Sequence, residues 1–215
     1  MSKSTENLES FADELRQTFS AKDSAREKAL PLCRQAIRYC ARAIRSVHRQ
    51  EFKPAEELLQ SAREQLVEAK EALAKHSDLS HTAFLRDAQK EFAEGVITLA
   101  LVAGRMLPAP DELDIAPAAY LNGMGEAVGE LRRYLLDSMR KGDLSRGEEL
   151  LGAMDDIYST LVTMDFPDAI TGGLRHTTDM VRGVLERTRS DLTLGIRQKE
   201  LENRLKNLHP VDDKP

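Results

Sequence analysis

Tryptophan is absent from the 215 residues, cysteine occurs twice, and aromatic side chains make up only 5% of the chain. Strands draw on aromatic and β-branched residues, so this shortage argues against a sheet-built fold. Glycine and proline number 12 and 8, too few for a linker-rich or turn-repeat architecture. No apolar run approaches the roughly 18 residues that a membrane-spanning helix needs. The opening MSKSTENLESF has neither the basic start nor the apolar stretch of a secretory leader. There is no excess of positive charge either. At a net −5, bulk charge will not hold nucleic acid, and any such binding must come from a local basic patch. Cys33 and Cys40 stand seven residues apart in one helical pattern, about 10.5 Å along the axis and beyond disulfide reach. A reducing, cytoplasmic setting is expected.

What is present is charge and helical periodicity: 41% hydrophobic and 31% charged residues, above the usual quarter for charge. Leu8, Phe11, Leu15 and Phe19 recur at steps of three and four, which predicts a first helix over residues 2–20, capped by Ser4 or Thr5. Leu30, Cys33, Ile37, Cys40, Ile44 and Val47 carry the same period over 24–50, with Pro31 a place to bend or restart. Pro54 opens the next helix, whose stripe is Leu58, Leu59, Ala62, Leu66, Ala69 and Leu73. From Phe84 to Leu107 apolar residues occur on every side, the mark of a buried helix. Pro108 and Pro110 end it. Further helices are expected over about 116–140, 144–164 and 170–206, before a polar tail over about 207–215. No strand signal, fixed-period repeat or internal boundary interrupts this. One all-α domain spanning residues 1–215, of six to seven long antiparallel helices, is the expectation.

Two constellations can carry chemistry. Arg34, Arg38, Arg42, Arg45 and Arg49 follow steps of four, four, three and four along one helical face, with no acid among residues 28–50. Such a ridge can track a phosphate backbone. It can equally be a solvated face that pairs with acids on neighbouring helices. The second constellation is acidic. Glu91 and Glu94 share one face of the buried helix, and Glu126 and Glu130 lie one turn apart on the next long one, among Gly123, Gly125 and Gly129. Ionised acids on an apolar face are costly unless something compensates them. Oxygen ligands without histidine suit Mg²⁺ or Mn²⁺ rather than zinc. Against that stands pairing with Arg86, Arg105, Arg132 or Arg133. No Glu-x-x-His, zinc spacing, phosphate-cradling loop or nucleophile elbow is present. The five histidines, His48, His76, His81, His176 and His209, read as single surface residues.

The order of FLRDAQKEFAEGVITLALVAG (84–104), YLNGMGEAVGELRR (120–133), KGDLSR (141–146) and SDLTLGIRQKELE (190–202) resembles the translin and translin-associated factor X family over nearly the whole chain. The resemblance implies a seven-helix fold that assembles into a hollow, roughly octameric shell around nucleic acid. Translin itself mainly binds nucleic acid. The factor X type carries an acidic, Mg²⁺-dependent endoribonuclease site, patterned Q-E-x-x-E and D-x-x-x-E. Gln89-Lys90-Glu91-Phe92-Ala93-Glu94 is similar to the first pattern with one residue inserted, so the role falls to Glu91 and Glu94. Glu126 to Glu130 is similar to the second, with Glu126 in place of Asp, one methylene longer.

Taken together, these readings predict a homo-oligomeric endoribonuclease of the prokaryotic type. Glu91, Glu94, Glu126 and Glu130 would hold Mg²⁺ or Mn²⁺, and the arginine ridge would hold single-stranded or short duplex RNA, or single-stranded DNA. The alternative is a shell that binds nucleic acid without cutting it; a helical scaffold for protein partners is the third. Heptad-like spacing from Leu192 to Leu208 adds to the expectation of an oligomer.

Overall fold

From Leu8 to His48 nothing in the chain stops a helix, and the first element is a single α1 of 41 residues. The computed structural model describes residues 7–79 and 81–208. The two expected helices, 2–20 and 24–50, are therefore one, and the expected caps Ser4 and Thr5 lie outside the described residues. Pro31 sits within α1 on its exposed side, where the carbonyl it leaves unpaired, that of exposed Glu27, can turn to water. A proline in a helix interior costs about 3 kcal/mol. The buried Ala29, Cys33 and Ala36 on the opposite side supply the packing that carries the helix through it.

The turn 49–51, with Gln50 at φ 62°, reverses the chain into α2 (Phe52–Leu73). Lys22 meets Asp78 at 2.8 Å near one end of this hairpin, while Arg45 and Leu58 line one cleft at the other, so α1 and α2 run antiparallel. A 3₁₀ turn, Ser77–Leu79, leads to α3 (Ala83–Val102). As the apolar pattern predicted, α3 is the most enclosed helix, with Leu85, Phe92, Ile97, Leu99 and Val102 buried. After it, α4 (Pro110–Leu113) is a single turn, and the loop doubles back along α3. The Ala116 backbone N–H donates to Gln89 Oε1 at 3.3 Å just before α5 (Pro117–Arg140) begins.

Helix α6 (Gly147–Val162), the single turn α7 (Asp168–Thr171) and α8 (Leu174–Leu208) complete the described residues. Gly172 and Gly173, at φ 65° and 87°, make the sharp entry to α8. No strand occurs among the described residues. Helix α8 lies on α5 and α6: a Cβ at Gly125 would meet Thr177 Cγ2 at 2.3 Å, and one at Gly147 would meet Leu192 at 2.6 Å. One continuous apolar core runs from Ala25 to Leu192. The first 17 residues of α1 contribute nothing to it, for the buried set begins at Ala25. Leu8, Phe11, Leu15 and Phe19 stand 51–64% exposed, as do Leu194, Leu201 and Leu205 at 50–66%. No helix of the described residues is long and apolar enough to cross a membrane.

Candidate acid site and arginine ridge

The acid site is built where α5 crosses α3, and a missing side chain brings the two backbones together. A Cβ on Gly123 would lie 2.5 Å from the Lys90 carbonyl oxygen, 2.7 Å from Ala93 Cβ and 3.0 Å from the Glu94 amide nitrogen. Only glycine permits that approach. Glu126 follows Gly123 by one turn, so it is delivered onto the face that carries Glu91 and Glu94. One carboxylate oxygen from each of these three lies within 4.8 Å of the others. All three residues are half-buried. Gly125 looks the other way, toward α8, and Gly129 faces open space.

This gathering raises the cost of charge. Burial, then the charges of Glu91, Glu126 and Glu130, push the Glu94 carboxyl up to about 8. Burial and the Glu126 charge raise Glu91 as well, with Lys90 opposing. The buried Cys40 thiol on α1 is also driven up, first by burial and then by Glu91 and Glu94. Among the described residues neither Glu91 nor Glu94 has an ion-pair partner. Glu126 has one: Lys90 Nζ lies 2.6 Å from its Oε1. Burial pulls the Lys90 ammonium down, but the bond to Glu126 and the charges of Glu126, Glu91 and Asp87 outweigh it and leave it raised.

Glu130 stands slightly apart. Its Oε2 lies 2.5 Å from His48 Nε2 and 3.8 Å from Arg133, and it is not one of the three mutually close carboxylates. The hydrogen bond from His48 holds its carboxyl below the usual range, against the push of burial. The arginines expected to neutralise the acids mostly serve elsewhere. Arg105 pairs with Glu56 at 2.5 Å, and Arg132 with Asp191 at 2.7 Å, while Arg86 makes no ion pair among the described residues. Only Arg133 reaches the acid set, at Glu130.

Three oxygen donors crowded with too little positive charge fit a hard divalent cation. Ligand oxygens of one Mg²⁺ lie about 3 Å apart when adjacent and about 4.2 Å apart when opposite, so carboxylates already within 4.8 Å of one another would draw together around it.

The ridge lies on α1. All five arginines are exposed, and only Arg49 makes a salt bridge among the described residues, to Glu51 at 4.0 Å. Arg38 donates to Gln35 Oε1 within its own helix. Arg42, Arg45 and Arg49 face Glu57, Leu58 and Ser61 of α2 across a cleft of about 570 Å³. At about 100° per residue, His48 lies about 80° around α1 from the ridge centre, and Ile44 and Cys40 follow beyond it. Cys40 and Ile44 pack against Gly95, beside Glu94. One helix thus shows arginines outward and, on the adjoining side, the residues that border the acids.

No protein-family model matches the chain. A curated protein of Methanocaldococcus jannaschii, "Uncharacterized protein MJ0175", is 31% identical over 192 residues, which are 87% of this chain and 83% of that protein. The crystal structure of AfC3PO is 31% identical, covers 87% of this chain and 97% of its own, and superposes with a TM-score of 0.77. AfC3PO in complex with duplex RNA gives 30% identity, the same coverage and a TM-score of 0.75. Apo-NeC3PO shares the fold at 16% identity, covering 86% of this chain and 96% of its own, with a TM-score of 0.76. The chain belongs to the translin and translin-associated factor X family. Its likeness to AfC3PO sets it among the prokaryotic-type members. Glu126, which stands where the family pattern has an aspartate, meets Lys90 and also lies within 4.8 Å of the other two acids.

Two residues at the site escape sequence reasoning. His48 is not a surface histidine: its side chain is 8% exposed and buried against α5. The available signal is its place four residues after Ile44, on the apolar edge of α1. For Lys90 the signal is its position beside Glu91 in the chain, since a lysine can neutralise an acid as well as an arginine can. His209 lies outside the described residues.

Proposed function

We propose that this chain is a divalent-cation-dependent endoribonuclease that works as a homo-oligomer. Glu91, Glu94 and Glu126 would hold Mg²⁺ or Mn²⁺, with Glu130 the fourth acid of the set. A cation bound there supplies positive charge to a scissile phosphate and lowers the pKa of a water beside it. The chain's own part is to concentrate negative charge where the cation is needed and to hold the strand. Arg34, Arg38, Arg42, Arg45 and Arg49 would bind phosphates, which fixes position but carries little base preference. The RNA would be single-stranded or a short duplex, and AfC3PO, 30% identical, is known in complex with duplex RNA. The exposed apolar stripes at the start of α1 and the end of α8 are the surfaces an assembly would cover, in the manner of an octameric shell.

The observation that carries this reading is the three half-buried carboxylates set within 4.8 Å, with only Lys90 among the described residues to offset them. A pure binding protein has no need to bury such a set. One observation favours that second reading, a nucleic-acid-binding shell without catalysis: the Lys90 ammonium already neutralises Glu126. Labelled RNA incubated with the purified protein decides between them. The nuclease reading expects cleavage with Mg²⁺ and none with EDTA; binding without cleavage in both conditions leaves the shell alone.

A further inference from the structure

Resting on the cation-dependent reading above, we propose that His48 is the positioning residue of the acid site, holding Glu130 in place from α1. His48 occupies the last turn of α1, and Nε2 meets Glu130 Oε2 at 2.5 Å. Glu130 is an ionised acceptor, so Nε2 carries the hydrogen and donates it. Glu130 lies one turn beyond Glu126 on α5, and its charge is felt at Glu94. It is therefore the one acid of the set whose placement depends on a helix other than the two that carry the cluster.

The imidazole is braced from behind. Tyr134, one turn past Glu130, stands with its ring centre 6.4 Å from that of His48. Gln50 Nε2 donates to the Tyr134 hydroxyl at 3.0 Å, from a residue held at φ 62° in the α1–α2 turn. A left-handed conformation for a residue other than glycine persists only when its surroundings over-determine it. The Gln50 side chain thus ties Tyr134 to the turn, and the Tyr134 ring stands beside the imidazole.

The other ring nitrogen shows why the residue is a histidine. Nδ1 is buried and has no hydrogen-bond partner among the described residues. Leaving a buried nitrogen unpaired is unfavourable, and leucine would fill the same space without that penalty. What histidine adds is the single bond to Glu130. With its side chain 8% exposed, Nδ1 buried and Nε2 taken by Glu130, His48 has no ring nitrogen left to meet a substrate. It acts through the carboxylate, as the hydrogen-bonding partners behind metal-site ligands do, whose loss costs about 10–100-fold in metal affinity or activity.

The test compares the full-length wild type with His48→Leu, which removes the donor, and His48→Gln, whose amide restores one. Mn²⁺ affinity is read by paramagnetic resonance without RNA, followed by single-turnover cleavage with Mg²⁺, RNA affinity and melting temperature. His48→Leu is expected to bind Mn²⁺ at least about tenfold more weakly and to cut slower by a similar factor. RNA affinity should be unchanged, and His48→Gln should recover most of both losses. A folded His48→Leu protein that binds Mn²⁺ and cuts like the wild type overturns the proposal, as does His48→Gln performing no better than His48→Leu. If His48→Leu melts far below the wild type, His48→Asn, whose amide falls short of Glu130, replaces it with the same expectations. A wild type that binds Mn²⁺ but cuts nothing defeats the nuclease reading, while the Mn²⁺ measurements still decide the role of His48. A wild type that binds no Mn²⁺ overturns both.

Discussion

The arginine ridge and the glutamate cluster each gather like charges within a few helical turns, but in opposite surroundings. On α1, five guanidinium groups stand in solvent, where water screens their repulsion and the crowding costs little. Between α3 and α5, three carboxylates are half-buried with a single lysine beside them among the described residues, and burial, then the crowding, pushes Glu94 up to about 8. A solvated face can hold many charges for no reason beyond solubility. A half-buried one is retained against a free-energy penalty, so the cluster says more about function than the ridge does, although the ridge is the plainer feature in the sequence.

The sharpest way to test that contrast is to remove charge from each region in turn. Glu126→Gln keeps size and hydrogen-bonding reach but deletes an anionic ligand, and cleavage should fall by about three orders of magnitude or more with RNA affinity nearly normal. Glu91→Gln and Glu94→Gln should act alike and combine with little further loss, because groups that work as one unit are not additive. A merely structural role for the Glu126–Lys90 pair predicts the reverse, a lower melting temperature with cleavage lost only through unfolding.

Reversing Arg38, Arg42 and Arg45 to Glu should weaken RNA binding by at least about a hundredfold at 0.1 M salt, equally across sequences. The slope of log affinity against log salt should flatten by about 3. The helix should survive, since its buried edge is untouched; unchanged binding in a filter titration would assign the ridge to solvent alone.

Protons offer a third, smaller lever. With Glu94 at about 8, a proton must leave before a cation can bind, so Mn²⁺ affinity should rise about tenfold per pH unit below 8 and level off above it. The metal-free protein should respond in the opposite sense. Folded Glu94 keeps its proton to about 8, whereas the unfolded chain releases it near the ordinary 4.5. The stability it contributes is therefore complete below 4.5 and lost as pH rises through 8. Metal-free wild type should melt lower at pH 9 than at pH 6, and Glu94→Gln should shrink that difference. A melting temperature equal at both pH values in wild type would count against crowding at the cluster.

The smallest effect expected is from Gly123→Ala. The added methyl meets backbone at 2.5 Å, and α3 and α5 must part to admit it. A loss of about 1–3 kcal/mol, several degrees of melting temperature, should accompany weaker Mn²⁺ binding. Gly129→Ala, with open space around it, should leave Mn²⁺ affinity alone and is the matched control.

Much of this arrangement is legible in the order of residues alone. Periodicity marks the helices because an apolar stripe must be buried wherever the helix goes, and Pro54 lies in the first turn of the helix it marks, two residues after its start at Phe52. The acids stand out because charge on an apolar face is anomalous under any arrangement. What cannot be read is partnership across helices. Nothing local to His48 says that Glu130, 82 residues away, will face it, nor does the sequence around Gly123 reveal which backbone will press against it. Pro31 misleads for a related reason: its local preference against helix is overridden by packing on the far side of α1.

The glutamates come from α3 and α5, and His48 from α1, of one and the same chain, so these residues come together without help from a second subunit. An assembly would then hold as many independent cutting centres as it has members, and its output should scale arithmetically. Shells reconstituted from wild-type and Glu126→Gln chains should lose activity in direct proportion to the inert fraction. An enclosed strand would meet several blades at spacings set by the symmetry of the shell, and the distribution of fragment lengths would record that geometry as a ruler does.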